Sequence, residues 1–249
     1  MRREPLHEGH ASSAKSKPRA VLITGGTGGL GTAVRNRFVT DGHNVVVTSR
    51  PGQSTETVLG PSGLKQQFHL LHSDVTEPAS VSELVGQTVA RLGTVEVLVH
   101  LVGGWAGGHP LQDTSLETWE RMLALNLRSA YLCSRAVLPL MREQGWGRIV
   151  LISAAAARSG RRHQGAYAIA KAGVSVLAES IAEENDDLDV TANVVGPSAL
   201  DTPANRAALA DSDHSSLVPV DDLATMIAFL SSAEAGHLRG AWLPASGRA

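Results

Sequence analysis

Apolar residues arrive in short unbroken runs. The segments AVLIT (20–24), NVVVT (44–48) and RIVLIS (148–153) are hydrophobic at consecutive positions, not at alternate ones. A strand with one face in water alternates, whereas one covered on both faces need not. Such runs predict strands at 20–24, 44–49, 67–72, 95–102, 148–153, 190–195 and 241–244. Between them, the stretches 30–41, 79–92, 116–143, 166–184 and 220–231 carry the pattern of helices. Strand and helix take turns without a break in composition, a repeat or a low-complexity insert. The pattern predicts an α/β fold: one doubly wound, Rossmann-type domain with about seven parallel strands and helices on both faces. Residues 19–249 are assigned to it, and residues 1–18 are expected to be a mobile tail.

Composition narrows the function classes. Lys and Arg number 22 against 24 Asp and Glu, so nothing in the charge favours nucleic acid or an anionic membrane as a partner. No apolar run reaches the length of a membrane span or signal peptide. Cys133 is the only cysteine, which rules out an internal disulfide or a cysteine-based zinc site and suits a reducing cytoplasm. His69 and His72 point to opposite faces of their strand, and no metal site is expected. Neither the Gly-x-Ser-x-Gly turn of a hydrolase nor the Gly-Lys-Ser/Thr ending of an ATPase loop is present.

Ligands of doubly wound sheets sit at the carboxyl ends of the strands. The first strand runs directly into Thr24-Gly-Gly-Thr-Gly-Gly-Leu-Gly31, and a helix follows. Glycines here permit positive φ, bring backbone N–H groups close to a pyrophosphate and present a helix N-terminus to it. A dinucleotide fold that takes NAD usually ends its second strand on an acid that holds the ribose. This one ends on Ser49-Arg50, and a hydroxyl and a guanidinium suit the 2′-phosphate of NADP(H).

Read together with the later motifs, the chain resembles the short-chain dehydrogenase/reductase family from about residue 19 to residue 247. Thr24, Gly25, Gly29 and Gly31 match the family's glycine turn, with Thr27, Gly28 and Leu30 inside it. Asp74, followed by Val75, matches the acidic adenine contact, and Gly103 matches the glycine after the fourth strand. Tyr167 and Lys171 match the Tyr-x-x-x-Lys pair, and Asn126 matches the helix asparagine. The stretch Asn193 to Pro197 with Leu200 and Thr202 resembles the segment that closes over the nicotinamide. The resemblance implies an oxidoreductase that reduces a ketone or oxidises a secondary alcohol. Tyr167 would be its general acid/base, Lys171 would also contact the nicotinamide ribose, and Asn126 would hold a water linking Lys171 to solvent. The Lys171 ammonium, one helical turn from Tyr167, is expected to draw the phenol pKa down. Small-molecule carbonyl or alcohol substrates and a homodimer or homotetramer are implied as partners, the long helices pairing across subunits. Met122, Leu125, Leu132, Val137, Val174, Leu177 and Ile181 are compatible with such pairing and with burial inside one copy.

The pattern breaks at one point. The family's carbonyl-polarising serine stands thirteen residues before the tyrosine, where this chain has Ala154, with Ser153 one residue early. A one-residue step along a strand turns a side chain to the other face. Three arrangements remain open. Ser153 rotates in; or a reductase works without the serine, using Tyr167 with Ser159, His163 or an undemanding substrate; or the fold serves non-redox chemistry (dehydration, isomerisation, cyclisation) or a catalytically silent role. The fourth strand also ends on His100-Leu-Val-Gly-Gly104 in place of the family's Asn-Asn-Ala-Gly. Trp105 beyond it is either an aromatic wall or a hydrophobic plug. Arg161, Arg162 and His163 suit an anionic substrate or form a solvated loop, and residues 204–218 occupy the place of a short polar lid.

Overall fold

The computed structural model describes residues 17–53, 68–209 and 214–247. The core strands are β1 (Ala20–Thr24), β2 (Asn44–Ser49), β3 (Phe68–His72), β4 (Val97–His100), β5 (Trp146–Ile152) and β6 (Asp189–Pro197). Two-residue strands β7 (Leu200–Asp201) and β8 (Val218–Pro219) pair with each other, and β9 (Trp242–Ala245) returns to the main sheet. That sheet has seven strands in the order β3-β2-β1-β4-β5-β6-β9, every neighbouring pair parallel.

The helices are α1 (Gly29–Thr40), α2 (Pro78–Leu92), α3 (Leu116–Leu123), α4 (Ser129–Gln144), α5 (Gly165–Glu183), α6 (Pro203–Ala208) and α7 (Val220–Leu230). Leu22, Val46, Leu98, Ile149 and Val194 pack on one face of the sheet against α2, α4 and α5. Val21, Ile23, Val47, Val99 and Val150 pack on the other against α1 and α7. Consecutive apolar residues are therefore needed in β1, β2, β4 and β5, which explains the unbroken runs. Among the described residues no helix is long and apolar enough to cross a membrane.

Two expectations are corrected. The stretch 116–143 is not one α-helix: residues Ala124–Arg128 form a π-helical turn between α3 and α4. The apolar residues continue through it, so the pattern gives no sign of a hydrogen-bond ladder that slips by one residue. The fourth strand is also shorter, 97–100 instead of 95–102, because residue 101 onward opens into the loop beside the site. Position 67, residues 1–16 of the expected tail and the centre of the expected lid (211–213) lie outside the described residues.

Strand order reverses between β1 and β4, and their last residues, Thr24 and His100, are directly paired. Crevices that receive ligands form at this point of an open parallel sheet.

Candidate active site

At the reversal lies a cleft of about 410 Å³, lined by Gly25, Thr27, Gly28, Ser49, Arg50, Asp74, Val75 and Gly103 together with Leu101 and Leu125. The turn that floors it needs its glycines for different reasons. Gly25 has φ +73°, and a Cβ at Gly31 would run into the Gly25 carbonyl oxygen. At Gly28 the nearest atom to such a Cβ is 3.8 Å away, so this side of the turn is open to a ligand. The first backbone N–H groups of α1, from Gly29 to Gly31, have no helical partner. The Leu30 side chain packs into the core, leaving its backbone alone at the turn. Thr202 belongs to the same wall, since a Cβ on Gly29 would stand 2.8 Å from its methyl group.

Arg50 is exposed and opens a turn, Arg50-Pro51-Gly52-Gln53, in which Gln53 N–H donates to the Arg50 carbonyl at 3.3 Å and Gly52 has φ +79°. Thr27 Oγ1 donates to Gln53 Oε1 at 3.3 Å and ties this turn to the glycines. Ser49 is buried, and its hydroxyl pairs with His72 Nδ1 at 2.7 Å. Ser49 thus has a partner within the sheet while lining the cleft beside the exposed Arg50. Asp74 accepts from the Thr76 N–H at 3.0 Å and its hydroxyl at 2.7 Å, which holds the carboxyl below its usual range.

Lys171 and Asn126 meet at Gly103, and Tyr167 stands one helical turn before Lys171 on α5. A Cβ there would lie 2.8 Å from Asn126 Oδ1 and 2.9 Å from Lys171 Nζ. Asn126 sits in the π turn, donating from Nδ2 to the carbonyls of Gly104 and Met122, both at 3.0 Å, and accepting from Gly104 N–H at 3.1 Å. Lys171 is buried and donates to the Ile152 carbonyl at 2.8 Å. Tyr167 is half-buried in the first turn of α5, and burial raises its phenol pKa. The expected lowering by Lys171 is overturned here, because that ammonium is directed at Ile152 and desolvation dominates at the phenol.

Burial also lowers Lys171, to about 8. The chain has four lysines, at 15, 17, 65 and 171, so the side-chain resonances are few. In a ¹³Cε-lysine NMR titration Lys171 is expected to lose its proton near pH 8, well below the ~10.4 of a free lysine. Between these values the unfolded chain binds more protons than the folded one, so this group makes stability rise with pH there.

Ser153 does not turn into the site. Its hydroxyl is buried and donates to the Lys171 carbonyl at 2.7 Å, pinning α5 to the end of β5. Ala154, the next residue, is buried in extended backbone. Ser159 is exposed, as are Arg161 and Arg162. His163 has φ +64° and its carbonyl accepts from Gly108 N–H at 2.9 Å. It borders a second cleft of about 360 Å³ with His109, Asp113, Arg121 and Gln164, residues that no motif singled out. Trp105, 60% exposed, is no hydrophobic plug; its ring lies beside Gly107, which lines that cleft.

Pro197 ends β6, Leu200 opens β7, and Thr202 caps α6 by accepting from Asn205 N–H at 3.2 Å. Asn193 has a structural task, donating to the Leu238 carbonyl at 2.8 Å and accepting from Ala241 N–H at 2.9 Å. Met122, Leu132, Val137, Val174 and Ile181 are buried within the chain's own core, whereas Tyr131, Ile169 and Val176 of the same helices are exposed. Among the described residues, no group of three or more His, Cys, Asp or Glu is placed to hold a metal ion.

The profile of a family described as short chain dehydrogenase matches residues 19–213. The chain belongs to this family. It is 32% identical over 237 residues to the 3-oxoacyl-[acyl-carrier-protein] reductase MabA of Mycobacterium tuberculosis, covering 92% of each chain. It is 29% identical over 238 residues to the 3-oxoacyl-[acyl-carrier-protein] reductase FabG of Escherichia coli, covering 92% of this chain and 96% of that one. A solved structure of ElxO with NADP bound superposes with a TM-score of 0.86 at 25% identity, over 92% of this chain and 97% of the other. As a short-chain dehydrogenase the chain is an oxidoreductase by kinship.

Proposed function

We propose that this short-chain dehydrogenase uses NADP(H) to reduce a ketone, or to oxidise the corresponding secondary alcohol, with Tyr167 exchanging the proton at the substrate oxygen. One observation carries the reading: Gly103 lines the glycine cleft and at the same time lies against Asn126 and Lys171. A dinucleotide held by the glycine turn would therefore end beside Lys171, one helical turn from Tyr167. The names of MabA and FabG and the NADP in ElxO support the same choice.

The open side of Gly28 and the N-terminus of α1 suit a pyrophosphate. Arg50 suits a 2′-phosphate, and Asp74 suits the adenine amino group. When bound, the nicotinamide supplies or takes up the hydride. Burial keeps Tyr167 protonated near neutrality, so it starts as the donor required for reduction. Lys171 and Asn126 fix the floor below the reacting groups. Arg50→Ala is expected to weaken NADPH binding about ten- to hundredfold, the worth of one charge-assisted contact, and to leave NADH affinity unchanged. Fluorescence titration with both nucleotides measures this, and equal losses for the two would remove the 2′-phosphate assignment.

Exposed Tyr131 on α4 and Ile169 and Val176 on α5 support association of copies through these helices. Light scattering is expected to give a dimer or tetramer, with a shift toward monomer when Val176 becomes Glu.

A further inference from the structure

The imidazole of His100 is buried between the two halves of the site. Its Nδ1 lies 2.8 Å from Thr24 Oγ1, on the residue immediately before Gly25. Its Nε2 lies 3.1 Å from Ser129 Oγ, on the residue that closes the π turn carrying Asn126. All three side chains are buried.

The protons in this chain can be assigned. Ser129 Oγ donates its single proton to the Leu125 carbonyl at 2.7 Å, so toward His100 it must accept. Nε2 therefore carries the imidazole proton, and Nδ1 accepts from the Thr24 hydroxyl. Every link runs one way: Thr24 to His100 to Ser129 to the Leu125 carbonyl. Burial, reinforced by the charge of Lys171, pushes His100 down to about 3, so this neutral form persists wherever the protein works.

The far end of the chain is a weak point of the helix. In the π turn, Ser129 N–H bonds the Ala124 carbonyl, one residue further back than in an α-helix. The Leu125 carbonyl, which Ser129 N–H would bond in an α-helix, takes the Ser129 hydroxyl in its place, and the Met122 carbonyl takes the Asn126 amide. Leu125 lines the glycine cleft and touches Gly104, the backbone that Asn126 clamps. A displacement of Ser129 therefore reaches the cleft wall and Asn126 together.

We propose that His100 is a positioning residue that couples the glycine turn to the π turn, so that the cofactor cleft and the Asn126 clamp are set by one tautomer-locked bridge. The cofactor part of this rests on the function proposed above; the bridge itself does not. An imidazole suits the task because its donor and its acceptor leave the ring in diverging directions, one for each partner.

Two measurements test it. In ¹⁵N-histidine NMR of the ligand-free protein, His100 is expected as the neutral Nε2–H tautomer at neutral pH; an Nδ1–H or averaged signal overturns the bridge. Ser129→Ala, outside the cleft, is expected to shift the amide signal of Gly25 and to weaken NADPH binding about three- to tenfold, the worth of one buried hydrogen bond. In a His100→Leu background the same change should add nothing to either. A merely structural Ser129 would lower the melting temperature but leave the Gly25 signal and NADPH affinity of the folded protein unmoved, and that result also overturns the proposal. If NADPH binds neither protein, the cofactor assignment falls, and the tautomer and the Gly25 signal decide the bridge alone.

Discussion

Tyr167→Phe is expected to lower the rate of carbonyl reduction by about 10²–10⁴-fold, the usual worth of a positioned general acid, with NADPH affinity kept. Phenylalanine has the same shape and removes only the hydroxyl. Tyr167 sits in the first turn of α5, and the helix is fastened below it by the bond from Ser153 to the Lys171 carbonyl. Lys171 is itself held to Ile152, so the helix stays in place when the hydroxyl goes. Stopped-flow absorbance at the nicotinamide band, over a panel of ketones, gives the rate. A variant as fast as the parent would mean that the proton comes from another group. Product formed without consumption of NADPH would instead favour the non-redox use of the fold that Ala154 leaves conceivable.

Ala154→Ser is expected to act in the opposite direction, raising the rate of reduction by up to about 10²–10³-fold, the worth of one oxyanion donor. Neighbouring residues of extended backbone project to opposite sides. Ser153 faces the helix and bonds its main chain, so position 154 faces away from that contact. A hydroxyl there stands where the family's polarising serine stands. Changing Ser153 to Ala should do something different: the loss of one buried bond costs about 1 kcal/mol of stability and leaves polarisation untouched. Thermal melts and kcat for the two single variants separate these roles. If Ala154→Ser brings no acceleration, a group of the second cleft, such as Gln164 or His163, already polarises the carbonyl.

The sheet was legible because burial on both faces writes itself into consecutive residues, as in β1 and β5. The glycine cleft was legible because strand ends of a doubly wound sheet converge, which brings Arg50 and Asp74 beside Gly25 without any contact being known. The two-residue strands β7 and β8 were not legible, since two residues carry no period. The π turn was hidden because its apolar residues continue those of α3 and α4. Side-chain partners set by distant chain were hidden too. The His72 partner of Ser49 appears only when β3 is placed beside β2, and Ser153 reads as a possible donor until α5 arrives. His100 reads only as a missing asparagine, and its meaning appears when Thr24 and Ser129 close around it.

The central pairing of β1 with β4 is also expected to bear on how the chain folds. Thr24 and His100 are 76 positions apart, yet they are neighbours at the middle of the sheet. During synthesis, β1 can first pair only with β2, leaving its other edge unpaired until β4 emerges. That edge is an apolar, unprotected template for aggregation for as long as it waits. Closing so long a loop precedes any reward from the contacts it makes, which slows the step. Chains ending before β4 should therefore collect as insoluble material, and a destabilised β4 should reduce yield by the same route before it alters any property of the finished protein.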